Sequence, residues 1–476
     1  MLFNSFHFLF FFIIIAIIYF ASPHKYRWML LLASSCYFYM VFVPVYILIL
    51  GFTIVVDYFA GILIENAKGK RRRLFLIVSL IANIGVLSVF KYYNFFNENL
   101  TSLLHGAGFQ NPIPYLSILL PVGLSFHTFQ AMSYTMEIYY GRQKAEKHFG
   151  IYSLYVMFFP QLVAGPIERP QNLLWQFRTK KEFDYERITS GLKLVLWGAF
   201  KKMVIADRLA VYVGSVYSEP HMYSGFPLLL ATVFFAFQVY CDFSGYSDIA
   251  IGTARILGFN LMKNFNLPYH SKTVSEFWTR WHISLSSWLR DYLYEPIAIK
   301  YRNHGTIAII IALLITFTIS GLWHGAGWNF IILGVLNGVM ICIELLLAKR
   351  RKRLAKKIPP IIFNAISVIL TFSFVNFTFI FFRAHSVSDA VYIITNIFNF
   401  KGFDPEVVGL KRIDYAIIIC SILIMEAVQL MQSKQSPVEF LKKRHVVIRW
   451  SAYITLALLI VFLGKFGSQS FIYFQF

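Results

Sequence analysis

Apolar stretches of about twenty residues recur through most of this chain, separated by short basic loops. The hydrocarbon core of a bilayer is about 30 Å thick, and about 20 apolar residues of helix cross it while satisfying their own backbone hydrogen bonds. An all-α, polytopic integral membrane protein is therefore the expected fold. Composition agrees, since apolar residues make up 58% of the chain and charged residues 14%, which excludes an ordinary soluble domain of this length. The formal net charge of +21 would suggest nucleic acid in a soluble protein. Here the basic residues sit in loops, where they set topology, and no nucleic-acid partner is expected. Cys36, Cys241, Cys342 and Cys420 lie in apolar segments without metal-ligand or redox spacing, so they read as small buried hydrophobes and no metal is expected.

Spans are expected roughly at 4–22, 28–43, 44–66, 73–94 and 115–138, and again near 306–325, 328–348, 360–382, 413–431 and 449–464. Long helical stretches also lie at about 187–217 and 226–257, and about eleven transmembrane helices in all are expected, within a single membrane-embedded domain over 1–476. Residues 1–22 have no basic residue ahead of their apolar core and read as a retained first span. Basic loops at 24–27, 68–73 and 142–148 alternate with an uncharged bend near Pro44 and with 94–114, which lacks Lys and Arg. That pattern puts the N-terminus outside, and the basic run 434–449 puts the exit of the last helix outside as well. The tail 465–476 follows that exit. From Lys465 to Tyr473 it can extend at most about 28 Å against about 15 Å for half the core, so it can reach back inward.

Four segments are irregular. Residues 151–171 hold Pro160, Gly165, Pro166 and Pro170 and read as a re-entrant or buried broken segment. The 226–257 helix reads as interrupted at Tyr240-Cys-Asp-Phe-Ser-Gly-Tyr-Ser-Asp248, where Asp242 and Asp248 either cap broken helices or pair with a cation, or else act in catalysis. Residues 275–297 read as one interfacial amphipathic helix, with Trp278, Trp281, Leu285, Trp288, Leu289 and Tyr292 opposite a polar stripe of Arg280, Ser284, Ser287 and Asp291. Finally, 306–325 and 328–348 form an antiparallel pair with basic, hence cytoplasmic, flanks, which carries His324 roughly 27 Å beyond Thr306.

His324, in Ser320-Gly-Leu-Trp-His-Gly-Ala-Gly-Trp-Asn329, and His282, in Trp278-Thr-Arg-Trp-His-Ile-Ser-Leu-Ser-Ser-Trp-Leu-Arg290, are the candidate functional groups. A charge at the bilayer centre costs about 2.5–3.5 kcal/mol, so a buried imidazole stays neutral and is competent as a base. The bland readings are a hydrogen-bonded structural histidine for His324 and a solvated histidine on a peripheral helix for His282. Tyr473 is a candidate nucleophile, because a phenol is easier to deprotonate than a sugar hydroxyl. An aromatic anchor at the interface is its alternative.

Five blocks in order, at 121–130, 159–170, 240–252, 278–296 and 320–330, with Phe471-Ile-Tyr-Phe-Gln-Phe476 after them, make the chain resemble the membrane-bound O-acyltransferase (MBOAT) family. The likeness is to its bacterial alginate and peptidoglycan O-acetylation branch and the D-alanyl-transferring relatives. The resemblance implies spans plus re-entrant and interfacial helices around a central tunnel, with His324 and His282 as catalytic positions and Tyr473 as an acyl relay. Arg280, Trp281, Asp291, Trp323, Asn329 and Asp242 are expected in support. It further implies an inner-membrane protein that uses acetyl-CoA as donor substrate, with no bound cofactor, amid membrane lipid. Its predicted outer loops, about 20 residues or shorter, are too small to position a polymer, so a periplasmic serine-dependent O-acetyltransferase partner is expected, with peptidoglycan as the favoured acceptor. Two departures from the family pattern are 295–302 and Asn337, which stands where histidine is frequent. The rival readings are alginate or other exopolysaccharide O-acetylation, D-alanyl transfer and, from another class, a transporter or flippase. The internal repeat that many transporters carry is not evident.

Overall fold

Long apolar segments that must satisfy every backbone group internally can only become helices in lipid, and among the described residues every regular element of the computed structural model is helical. The structure describes residues 1–117, 121–400, 408, 410–434, 444–466 and 471–474. Eight described helices are long and apolar enough to cross a bilayer: Pro44–Asn66, Gly69–Gly106, Phe226–Leu257, Thr306–His324, Trp328–Ala355, Pro360–Arg383, Arg412–Met431 and Val446–Leu463. The expectation of about eleven also includes 4–22, 28–43 and 115–138. These stretches hold the helices Phe6–Ala21, His24–Met40 and Leu124–Tyr139, of 16, 17 and 16 residues, or about 24–26 Å each, which is short of a full hydrocarbon core. Parts of three expected features, at 118–120, 435–443 and 467–470, lie outside the described residues, as do 475–476.

The chain groups into two compact units, one of Met1–Val195 with Ile249–Met262 and one of Leu196–Asp248 with Lys263–Phe476. In the first, the proline-bearing stretch is broken and buried as its sequence suggests. It forms Phe149–Met157, Phe159–Leu162 and Pro170–Arg178, with prolines in the first turns of the last two. Side chains satisfy the irregular backbone. Gln130 and Gln161 donate to the Tyr155 carbonyl at 2.5 and 2.9 Å, and Tyr155 Oη donates to the Glu168 carbonyl at 2.8 Å. The buried Glu168 carboxylate accepts from the Met262 N–H and from Asn172, each at 2.5 Å.

The second unit corrects two expectations. Residues 226–257 form one uninterrupted α-helix. The irregularity lies in the preceding helical run, where Phe200–Ala206 is π-helical between Tyr185–Ala199 and Asp207–Ser218. Close approach explains it, because a Cβ on Gly245 would lie 2.7 Å from the Gly198 carbonyl and 3.0 Å from the Lys202 nitrogen. The widened turn lets two consecutive lysines face the same helix: Lys201 reaches Asp248 at 2.7 Å and Lys202 reaches Asp242 at 2.6 Å.

The second correction concerns 275–297, which is not one helix. Val274–Arg280 ends, Trp281 is extended, His282 is left-handed, and Ile283–Leu289 starts afresh before a π turn at Arg290–Tyr294 and the short helix Glu295–Lys300. Amphipathic spacing survives such a break because both pieces bury the same side. Trp281 therefore lies wholly inside an aromatic cluster with Phe265, Phe277, Tyr269 and Phe379 rather than at headgroup level. The antiparallel pair is present as Thr306–His324 and Trp328–Ala355. Gly321 and Gly334 let its two backbones touch, since a Cβ on either would lie 2.2 Å from a carbonyl oxygen of the other helix.

Candidate active site

The break at His282 is made by its neighbours. With φ 44°, His282 adopts a conformation that costs a side-chain-bearing residue energy. The strand of chain beside it compensates. Asn264 accepts the Ile283 N–H through its carbonyl at 2.9 Å, and its side-chain oxygen accepts the Ser284 N–H at 3.2 Å and hydroxyl at 2.9 Å. Asn266 N–H donates to the Arg280 carbonyl at 2.9 Å. Residues 264–266 thus satisfy the end of one helix and the start of the next, doing from outside what an N-cap side chain does from within. His282 is left pointing into the core, fully buried, edge-on to Phe243 at 4.6 Å between ring centroids.

His324 is the last residue of its helix and is buried. Its ring lies 5.0 Å from Trp323, 5.4 Å from Phe382 and 5.7 Å from Tyr473. A Cβ on Gly325 would collide with the Phe330 ring at 2.1 Å, so the turn after the histidine admits only glycine in this packing. Asn329 closes the turn from the other side by donating to the carbonyls of Phe381 and Ala384 at 3.2 and 3.0 Å, which caps the end of Pro360–Arg383 and holds Phe382 against His324.

Tyr473 sits in a short 3-10 turn, Ile472–Phe474, and joins the two histidines. Its ring centroid is 5.7 Å from His324, 6.3 Å from His282, 6.4 Å from Trp323 and 4.7 Å from Phe243. The ring keeps some exposure while its hydroxyl oxygen is enclosed. The tail that follows Val446–Leu463 therefore does reach back to the histidines. Burial, with the Asp242 carboxylate adding in the same direction, pushes the Tyr473 phenol above its ordinary value of 10. Burial likewise holds His282 well below the usual imidazole range, and the adjacent His324 adds to that. The arrangement is a neutral phenol beside two imidazoles in a water-poor aromatic shell. There a base is needed to form a phenolate, and an N–H donor is on hand for a developing oxyanion.

Of the expected residues, the structure brings together His282, Trp323, His324, Tyr473 and, through the tail, Asp242. Trp281 and Asn329 support them from behind. Arg280 and Asp291 are in local ion pairs on the part-exposed face of their segment, with Glu276 at 2.7 Å and with Arg290 at 2.8 Å. Sequence reasoning missed Phe243, Phe382, Asn264 and Lys202. The adjacent lysines 201 and 202 within an apolar helix were a legible signal, because two intramembrane acids need cations. Asn264 left none, since it lies in a loop outside the motifs and acts through both its backbone and its side chain.

A family model described as MBOAT, membrane-bound O-acyltransferase family, matches residues 148–383, which include both histidines. The chain is 35% identical to the probable alginate O-acetylase of Pseudomonas aeruginosa over 404 residues, 84% of this chain and 75% of that one. It is 32% identical to the protein of the same name from Pseudomonas putida across 100% of both chains. To the peptidoglycan O-acetyltransferase of Helicobacter pylori it is 33% identical over 406 residues, 78% of this chain and 74% of that one.

Proposed function

Because this chain belongs to the membrane-bound O-acyltransferase family, we propose that it moves acetyl groups from cytoplasmic acetyl-CoA across the inner membrane to a periplasmic serine-dependent O-acetyltransferase, which places them on a cell-envelope polysaccharide. It is a multi-pass membrane acyltransferase, and both termini are assigned to the periplasmic side by the alternation of basic loops. The observation that carries the reading is the placement of Tyr473 between His282 and His324 in one cluster of rings.

In the first step His324 takes the phenol proton as Tyr473 Oη attacks the thioester carbonyl carbon, the C–S bond breaks, and the coenzyme leaves as a thiol carrying that proton. An N–H of His282 donates to the carbonyl oxygen while it bears charge. In the second step the partner's serine hydroxyl attacks the acetyl-tyrosine ester, the C–O bond to Tyr473 breaks, and His324 takes the serine proton and passes it to the departing phenolate. Peptidoglycan is the acceptor that the resemblance to peptidoglycan O-acetyltransferases favours. The full-length match to the Pseudomonas putida protein favours a second reading, with alginate or a similar exopolysaccharide in its place.

The test uses proteoliposomes and acetyl-CoA labelled in the acetyl group, comparing wild type, His324→Ala and Tyr473→Phe by peptide mass spectrometry. Label on Tyr473 that vanishes in both variants is the expected result. Coenzyme release that persists undiminished in Tyr473→Phe would keep the acetyltransferase and reject the relay. Absence of turnover in every sample, with a periplasmic partner present, would point to another acyl donor. Label reaching muropeptides but not alginate, or the reverse, separates the two acceptors.

A further inference from the structure

The Tyr473 turn is held by something other than its own ring contacts. The side chain of Asp242 has its two oxygens turned to different partners: Oδ1 is 2.6 Å from Lys202 Nζ, and Oδ2 accepts the Ile472 N–H at 2.7 Å. Lys202 and Asp242 are both buried, and the same ammonium lies 2.8 Å from Asp207. One cation thus faces two carboxylates, which leaves acceptor capacity on Asp242 that a backbone donor can use. Residues of the same helix flank the contact. Phe243 meets Phe471 at 5.5 Å and Tyr473 at 4.7 Å, and Tyr246, one turn on, meets Phe471 at 4.7 Å.

We propose that Asp242, held in place by Lys202, is a positioning residue that latches the C-terminal turn through the Ile472 N–H and so sets Tyr473 between the two histidines. The latch rests on the acyl-relay reading for its purpose, though its geometry stands apart from it. An intramembrane acid that pairs with lysine only for stability would have no reason to matter to the tail. One that also holds a single amide of the tail makes the position of the acyl acceptor depend on one carboxylate. Replacement by asparagine keeps an oxygen acceptor, whereas alanine keeps none.

The experiment uses the full chain in proteoliposomes, with two readouts: hydrogen exchange of the peptide containing residues 471–474, and acetyl label on Tyr473 from labelled acetyl-CoA. Asp242→Ala is expected to speed exchange and cut labelling by about tenfold or more with little change in the KM for acetyl-CoA, and Asp242→Asn to recover much of both. Ile472→Pro approaches the same bond from the tail, where misfolding of the bundle is not a concern. It removes the N–H at the first position of a turn that tolerates proline, and is expected to cut labelling as Asp242→Ala does, without adding to it in the double variant. Ile472→Val keeps the N–H and stays near wild type. Exchange as slow in Asp242→Ala as in wild type, or Ile472→Pro labelling at the wild-type rate, would overturn the latch. Wild-type protein with a protected tail and no label on Tyr473 would instead remove the relay and leave the latch standing.

Discussion

His282 pays for its place in the site with backbone strain, and that makes its role separable from its shape. At φ 44° a glycine is unstrained, whereas alanine keeps the strain and loses the ring. His282→Gly is therefore expected to be about 1 kcal/mol more stable than His282→Ala in thermal or denaturant unfolding, while both lose acetyl transfer. If the ring served only packing, the same order of stability would hold but donor turnover would survive in both. The direction of the His282 shift also fixes a sign. Its imidazole is held below the usual range, so the neutral form persists as pH falls through about 6.5 and protonation comes only on further acidification. The His282-dependent part of kcat/KM should accordingly show no limb at about pH 6.5, since the ring keeps the same single N–H donor on both sides of that pH. A limb centred at 6.5 in wild type would contradict this burial. His324 is the last residue of its helix, beside a glycine-rich turn, so truncating it costs little packing. His324→Ala should cost about 10²–10⁴-fold in transfer and less than about 2 kcal/mol in stability, read by label transfer normalised to folded protein.

At the scale of elements, the glycines decide which helices approach. Gly198 meets Gly245 within the second unit and Gly191 meets Gly252 within the first, each pair with carbonyl-to-Cβ distances near 2.7–2.8 Å if a methyl were added. The seven-residue spacing was readable as a small-residue face, and so was the polar stretch 240–248. What could not be read was which helix would yield. Asp and Gly in the middle of 226–257 look like an interruption by local propensity. Lysines on the neighbouring helical run neutralise the acids, however, and it is that run which widens into a π turn. Likewise, 275–297 has helical spacing throughout, and only Asn264, in a separate loop, reveals where it breaks. Gly245→Ala should lower the unfolding midpoint by an amount corresponding to about 1–3 kcal/mol, because backbone atoms cannot yield to the added carbon. Gly214→Ala, within Asp207–Ser218 and with open space around it, should raise stability by about 0.5–1 kcal/mol. Equal effects of the two would mean that the helix contact is not close-packed. Asn264→Ala should cost about 1 kcal/mol as a lost cap and, unlike a distant cap, also reduce transfer, since the His282 conformation depends on it.

For the whole molecule, the face of the bilayer to which the histidines lie nearer decides how a group can cross it. The pair Thr306–His324 and Trp328–Ala355 has its free ends flanked by Lys300, Arg302 and the 349–353 run, and its tight turn at the opposite end. Nineteen helical residues rise about 28 Å, nearly the full hydrocarbon core, so His324 lies close to the face opposite the basic ends. Val446–Leu463 starts just after a basic residue and delivers Tyr473 to the same histidines. The tail and the hairpin turn therefore meet from one side, and the lysines and arginines at the other end are the ground on which that end is proposed to be cytoplasmic. The helix pair and the reach of the tail were legible from segment lengths, because a helix in lipid has few ways to end; the ring cluster was not, because it is built from segments far apart in sequence. In sealed vesicles of known orientation, acetyl-CoA supplied on the basic-loop face should be turned over and acetyl groups should appear on an acceptor supplied only on the other face. Reversing the two supplies should abolish transfer. Turnover from both faces would place the reacting groups where coenzyme can enter from either side, and would remove the reason for a tail that folds back to carry the group outward.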